Sequence, residues 1–376
     1  MIFTDKNINI KKFLQQINSI IIVLLALYTC ACGDDSVTVV DEEFDPPRFI
    51  WRSVDIPYHG FAGLWGTDTN NIFLLNNNNN SLYKVDNGVT TVNIVSPDYY
   101  LTDLKGISNN EIYLFGTKFP GRKLSIIKYN GASFEFIDSE IDAIDEYPVR
   151  GCVRNSNEVW AISKGGIIKY DGSKLHYYLY DDPTLIPDLF YVSNENMIEY
   201  IGIRFDTAYT KQSLYRLKDT TFENVFTQYL YSYDTPHTYL AHLNGMKIGL
   251  QFNSSEQTIC LDGFNGMNFY DAICFNKKIV YVAPTYGINP VGANLQNFLF
   301  LVEVSEDFLF VPPYRRGITH WNGSKLSLEM GLSYYASPSP FLNFLSNIID
   351  ENTYTVLQAY SEINIENSTL WIGNKK

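Results

Sequence analysis

The chain is short of charge, and shorter still of positive charge: 18% of its 376 residues are Asp, Glu, Lys or Arg, and 28 Lys plus Arg stand against 41 Asp plus Glu, a formal charge of -13. Such a surface repels phosphate backbones instead of releasing their counterions, which excludes nucleic acid as a partner. Histidine is scarce, and His59, His176, His237, His242 and His320 show none of the short spacings that put two metal ligands on one element. H-E-x-x-H and C-x-x-C are absent, and no acidic spacing fits a calcium-binding loop, so neither a metal nor a cofactor is expected. Long hydrophobic runs are missing too. The strongest, Ile20 to Leu27, is too short to span a bilayer. What is abundant is apolar and aromatic: 45% hydrophobic residues, with 28 Tyr and 24 Phe. That rules out wholesale disorder and favours the pleated, half-buried surfaces of an all-β chain.

Lys6, Lys11 and Lys12 precede the run at Ile20 to Leu27, the order of a signal peptide's basic and apolar regions. It ends in LYTCACGDD, which resembles the lipobox of bacterial lipoproteins, where a small residue precedes a lipidated Cys. The resemblance implies lipidation at Cys32, after Ala31; Cys30, with Leu27 three residues before it, is the alternative. Residues 1–31 are then a removable leader, 32–48 an acidic flexible tether and 49–376 the folded domain. Acidic residues directly after Cys32 also resemble the export signal of surface-displayed lipoproteins. The expected address is thus the outer membrane, on the cell surface or facing the periplasm, with the lipid holding the protein to the membrane. Downstream of Cys32 remain Cys152, Cys260 and Cys274. The last two lie in predicted strands joined by a glycine-rich turn, so either they form a disulfide or all three are buried thiols.

A unit recurs along the domain: an Asn/Ser/Glu turn, an apolar strand, a variable loop, and a second strand ending in Asn-Gly or Asp-Gly. NNIFLL with SLYKVDNG, NEIYLFG with LSIIKYNG, and NEVWAIS with GGIIKYDG are the clearest copies; MIEYIG with SLYRLKD, MKIGLQF with QTICLDG, and EDFLFVPP with RGITHWNG are more degenerate. The last apolar position of the second strand falls at Val85, Tyr129, Tyr170, Leu217, Leu261 and Trp321, at intervals of 44, 41, 47, 44 and 60. A period in the forties means propeller blades or helical solenoids, and period-two alternation punctuated by Asn-Gly and Asp-Gly selects blades. The long interval places an insertion in Tyr281 to Gln296, read as a loop.

These units resemble bacterial β-propeller repeats, loosely kelch-like, of the form N-x-V-W-x-V-G followed by G-x-I-x-x-Y-D-G. The resemblance covers roughly residues 49 to 373 and implies a fold without implying a function. The paired glycines of true kelch units, the WD dipeptide and the sialidase Asp-box are absent, so no catalytic residues carry over. The expectation is seven four-stranded blades, with six or eight as bounds. The chain ends one strand short of a unit, and FIWRSV (Phe49 to Val54) is a strand without one, so the N-terminal strand should complete the last blade.

In such blades the loop between the second and third strands and the connection to the next blade emerge on one face. The first set includes Asn76 to Asn80 (read as a flexible tip), Lys118 to Arg122, Asp206 to Tyr209 and Tyr314 to Arg316; the second includes Asp98 to Tyr100, Glu140 to Tyr147, Tyr180 to Asp188, Tyr229 to Tyr239 and Tyr334 to Pro340. Rigid exposed aromatics make binding hot spots, and arginines hold carboxylates bidentately. The candidate ligand-binding residues are accordingly Arg122, Tyr209, Tyr231, Tyr233, Tyr314, Arg315, Arg316, Tyr334 and Tyr335. If inner strands line a channel, Asp103, Arg150, His242 and Glu303 are weak candidates for acid, base or anion-holding roles, and a hydrogen-bonded plug is the blander reading. The sequence favours a non-enzymatic module that binds a protein partner or a glycan. A carbohydrate-active lyase or hydrolase and a structural subunit of an outer-membrane complex are the alternatives.

Overall fold

The computed structural model describes residues 48–86, 89–143, 149–178, 186–192, 197–205, 209–231, 237–243, 246–253, 258–264, 269–275, 291–294, 297–304, 315–321, 326–332, 342–350, 352–360 and 368–376, with Tyr180, Asp182 and Thr184. The expected leader and the expected lipidation site at Cys32 fall outside them. Residues 45–376 form a compact unit, and its described elements are all β-strands in four-stranded antiparallel sheets.

Sheet 1 is β2 (Phe61–Asp68), β3 (Asn71–Asn76), β4 (Ser81–Asp86) and β5 (Val89–Ile94), in that order. Sheet 2 is β6 (Tyr99–Ser108), β7 (Glu111–Lys118), β8 (Lys123–Tyr129) and β9 (Phe134–Asp142). Sheet 3 is β10 (Arg150–Asn155), β11 (Glu158–Ser163), β12 (Gly166–Tyr170) and β13 (Leu175–Tyr178). Sheet 4 is β14 (Ile186–Val192), β15 (Ile198–Phe205), β16 (Tyr209–Lys218) and β17 (Thr221–Tyr231). Sheet 5 is β18 (His237–Leu243), β19 (Met246–Asn253), β20 (Thr258–Phe264) and β21 (Phe269–Phe275). Sheet 6 is β22 (Val291–Asn294), β23 (Asn297–Val304), β24 (Arg315–Trp321) and β25 (Leu326–Leu332). The terminal sheet joins the ends of the chain. It runs β1 (Phe49–Ile56), β28 (Ser368–Lys375), β27 (Thr353–Tyr360), β26 (Leu342–Asp350), with Phe49 opposite Lys375 and Ile56 opposite Ser368.

The middle strands of sheets 1–3 are apolar on both faces because both faces are buried. On β11, Val159 and Ala161 join the core shared with sheet 2, while Trp160 and Ile162 join the core shared with sheet 4. Period-two alternation therefore distributes side chains between two neighbours instead of between core and water. The same logic packs Ile72, Leu74, Tyr83 and Val85 of sheet 1 on Leu357, Leu370 and Ile372 of the terminal sheet. First strands follow first strands: β2 lies beside β6, β6 beside β10, β10 beside β14, and β26 beside β2. Gly151 of β10 permits one such approach, since a Cβ there would run into the Phe115 ring of sheet 2.

The Tyr-Asn/Asp-Gly signature closes the outer hairpins. Asn130 Oδ1 accepts from the amides of Ala132 and Ser133, and Asp171 Oδ1 from those of Ser173 and Lys174. Gly131 and Gly172 take φ of 92° and 89°, where an L side chain is strained. Tyr129 and Tyr170 each donate a hydroxyl hydrogen bond to the glycine carbonyl, at 2.8 Å.

Two expectations need correction. Within the stretch read as a loop, 291–294 form β22, the first strand of sheet 6. The second strand of that sheet is NFLFLVEV, with Phe298 opposite Trp321, and not EDFLFVPP. Two apolar runs compete for one partner there, and pairing with β24 selects the earlier one.

Candidate functional site

One face is assembled by hydrogen bonds between the two loop sets. The Asn77 amide donates to the Gly60 carbonyl, Val95 to Asn80, Phe119 to Asp98 and Ala143 to Arg122, at 2.6–3.0 Å. In each case a second-to-third-strand loop is tied to an inter-sheet connection. The asparagine run is correspondingly ordered, contrary to its reading as a flexible tip: Asn76 is buried, donates to the His59 carbonyl and accepts from the amides of Asn78 and Asn79.

On this face aromatic residues remain in water. Tyr100 is 46% and Phe119 40% exposed, and Tyr58 and Tyr229 are exposed as well. Phe119 sits in the turn of sheet 2, where Gly121 (φ 93°) and Arg122 (φ 51°) reverse the chain. The Arg122 guanidinium lies over the Phe119 ring, 5.7 Å from its centroid. Behind this turn, Asp138 accepts from Tyr99 at 3.0 Å and Ser125 at 3.0 Å and pairs with Lys118. Burial, then the bond to Asp138, pushes the Tyr99 phenol up to about 12. At sheet 4, Lys211 pairs with Asp182 at 2.8 Å. Burial pushes the Asp182 carboxyl up, but the bonds from Lys211 and Thr184 outweigh it and hold the group down to about 2.

Register brings some expected residues together. Tyr209 opens β16 and Tyr231 closes β17, and the two are direct cross-strand partners at the rim of this face. Arg315 and Arg316 open β24, with Arg316 opposite Glu303. Several residues read as loop are thus strand ends, because runs such as YLY and HTY extend the pairing. Tyr233, Tyr314, Tyr334 and Tyr335 lie outside the described residues.

Asp103, His242 and Glu303 are not brought to one level. Asp103 lies midway along β6, His242 near the far end of β18 beside the turn to β19, and Glu303 near the loop-face end of β23. Glu303 is on a second strand and not a first, a correction that follows from β22. Asp103 is buried and accepts three hydrogen bonds, from the amides of Leu104 and Gly151 at 2.8 Å and from Lys105 Nζ at 3.1 Å. Since Gly151 belongs to β10, Asp103 clasps sheet 2 to sheet 3, beside a Thr102 hydroxyl donating to the Val149 carbonyl. Arg150 opens β10 next to this clasp. Among the described residues no group of three or more His, Cys, Asp or Glu is arranged to hold a metal. Sequence reasoning placed Phe119 in a ligand-face loop without singling it out and missed Tyr58; an aromatic flanking a His-Gly turn was the available signal.

No protein-family model and no curated protein matches the chain. Solved structures do. It is similar to a streptogramin B lyase at 12% identity, covering 87% of this chain and 98% of that one with a TM-score of 0.52. The Dos1 propeller matches at 10% identity over 87% and 94%, TM-score 0.51. The chain has a β-propeller-type fold. A catalytically inactive virginiamycin B lyase variant from Staphylococcus aureus, with quinupristin, is similar at 11% identity over 86% and 99%, TM-score 0.50. At such identities the likeness extends to the fold alone, and the sheets are its blades.

Proposed function

We propose that this is a lipid-anchored, surface-displayed propeller of seven blades, closed by the N-terminal strand, that binds a protein partner or a glycan on its loop face without turning it over. The observation that carries the binding reading is the set of exposed aromatics, Tyr58, Tyr100 and Phe119, with Arg122 stacked on Phe119, on a face whose backbone is already hydrogen-bonded. Rigid rings on a preorganised scaffold lose little entropy on binding and stack on sugar rings or fill pockets of a partner. Closure is supported by β1 as fourth strand of the terminal sheet and by the core it shares with blade 1. The anchor rests on LYTCACGDD.

The test is affinity purification of the full-length lipoprotein from gently solubilised native membranes, alongside a glycan array, with Tyr100→Ala, Phe119→Ala and Arg122→Ala as variants. Loss of capture by at least about tenfold in these, with an Ile50→Ser variant near the far end of β1 unaffected, supports the reading. A partner retained by all the loop variants would make the protein a structural subunit of an outer-membrane complex. Cys32→Ala should leave the membrane fraction if the anchor is right. The alternative is a carbohydrate-active lyase or hydrolase, and turnover of a bound glycan would establish it.

A further inference from the structure

The outer hairpin of blade 5 places two cysteines in register. Cys260 of β20 and Cys274 of β21 are direct cross-strand partners, flanked by Ile259 opposite Phe275 and Leu261 opposite Ile273. The equivalent position in blades 1–4 holds Lys84 opposite Thr91, Lys128 opposite Glu135, Lys169 opposite His176 and Arg216 opposite Glu223. Each of those basic residues is half-buried, so this register position is one that solvent reaches. In blade 5 both members of the pair have become the one residue type that bonds covalently across strands. Opposed residues of an antiparallel pair have Cα atoms about 4.5 or 5.5 Å apart, and disulfides span Cα separations of about 4.4–6.8 Å. Cys152 is no competitor: it is buried between blades 3 and 4.

We propose that Cys260 and Cys274 form a disulfide that staples blade 5 in the exported protein, an inference that rests on the export reading above. The oxidant is a disulfide of the compartment, R–S–S–R. One cysteine thiolate attacks it and displaces RS⁻; the second thiolate attacks the cysteine sulfur of the mixed disulfide and displaces the other RS⁻. The two protons leaving the cysteines convert these to two RSH, so one disulfide is made and one consumed.

No Lys or Arg separates the two cysteines, so trypsin leaves both in the peptide 248–277, and Met267 lies between them. Full-length protein from native membranes, alkylated before reduction and digested, should yield that peptide unalkylated and two hydrogens lighter. Cyanogen bromide cleavage at Met267 should leave its halves linked until reduced, while Cys152 becomes alkylated once the protein is denatured. In parallel, purified reduced protein is incubated folded with oxidised glutathione, with Cys260→Ser as control, in which Cys274 should carry glutathione instead. Failure of the wild-type pair to close in this second arm overturns the proposal whatever the protein's address. Closure there with free thiols in protein from cells overturns the staple by way of the export reading, and leaves the register intact.

Discussion

Blades 1–3 and blade 4 treat one register position in opposite ways. In the first three, an aromatic on the second strand faces a lysine on the third: Lys84 over Phe73 at 5.9 Å, Lys128 over Tyr113 at 5.6 Å and Lys169 over Trp160 at 5.3 Å from the ring centroids. In blade 4 the same two positions hold Glu199 and Arg216, paired at 2.8 Å with Glu199 wholly buried. Tyr191 stands opposite Glu199 on the first strand, its phenol pushed well above the ordinary range by burial and then by the glutamate's charge. A lysine over a ring keeps its ammonium within reach of water and gains little from the ring. A carboxylate inside a blade interface has no such exit, so its partner is obligatory. The same fold position should therefore tolerate loss of the cation in blades 1 and 3 and not in blade 4, with blade 2 between them because Lys128 also pairs with Glu111 at 3.0 Å.

Arg216→Met tests this most severely. It should cost about 3–5 kcal/mol, read as a lowered urea midpoint, because it strands a buried charge. Glu199→Leu with Arg216→Met should recover to within about 1 kcal/mol of the parent, since replacing both members leaves no unpaired charge. A single variant as stable as the parent would mean that buried Glu199 does not depend on Arg216 as its partner. Blade 5 offers the covalent counterpart at the same position. The loop from Cys260 to Cys274 spans 15 residues, for which closure contributes about 3 kcal/mol. Reduction of the native protein, or Cys260→Ser with Cys274→Ser, should lower the unfolding free energy by that amount, read as a lowered urea midpoint, and reduction should not affect the double serine variant.

The blades were legible in the sequence because their grammar is local. Asn130-Gly131 and Asp171-Gly172 announce hairpins through turn chemistry that needs no tertiary partner, and the alternation of Val159, Trp160, Ala161 and Ile162 announces a strand. Sheet 6 was misread because EDFLFV and NFLFLVEV are equally good strands, and only the partner β24 distinguishes them. The loop face was legible as a topological consequence, but its exposed rings were not. Tyr99 and Tyr100 are neighbours of one type, yet one is buried on Asp138 and the other lies in water. Asp103 was singled out as a channel acid, and its clasp on the Gly151 amide depends on how closely β10 approaches β6, which no spacing along the chain encodes.

That clasp gives a middle-sized effect. Asp103→Ala leaves the buried Gly151 amide without its acceptor and should cost about 1–3 kcal/mol. The loss should appear as faster hydrogen exchange along β6 and β10, with blade 4 unchanged. Asp182 and Lys211 sharpen the contrast from within blade 4, as an ion pair that water partly reaches. The Asp182 carboxyl is held at about 2 against an ordinary 3.8, so its contribution is present above pH 4 and is lost as pH falls through 2. The stability gap between the parent and Asp182→Asn, about 1–2 kcal/mol near neutral pH, should hold to pH 5 and shrink between pH 4 and 2. A gap that persists undiminished at pH 2 would remove the ion pair from the account.

The smallest effect belongs to the other side of the comparison. Lys84→Met keeps an unbranched apolar stem over the Phe73 ring and removes only the ammonium, so it should cost about 0.5–1 kcal/mol, the value of an exposed cation–π contact. The contact is electrostatic and spans 5.9 Å, beyond the screening length of about 3 Å at 1 M salt, so most of that loss should disappear there. Substituting the equivalent position in blade 4 is expected to cost several times more, although both residues are third-strand cations at one register. If Lys84→Met proved as damaging as Arg216→Met, burial of Glu199 would not be the cause of the difference, and the two blades would have to be read as depending on their cation for a common reason, such as packing of its stem.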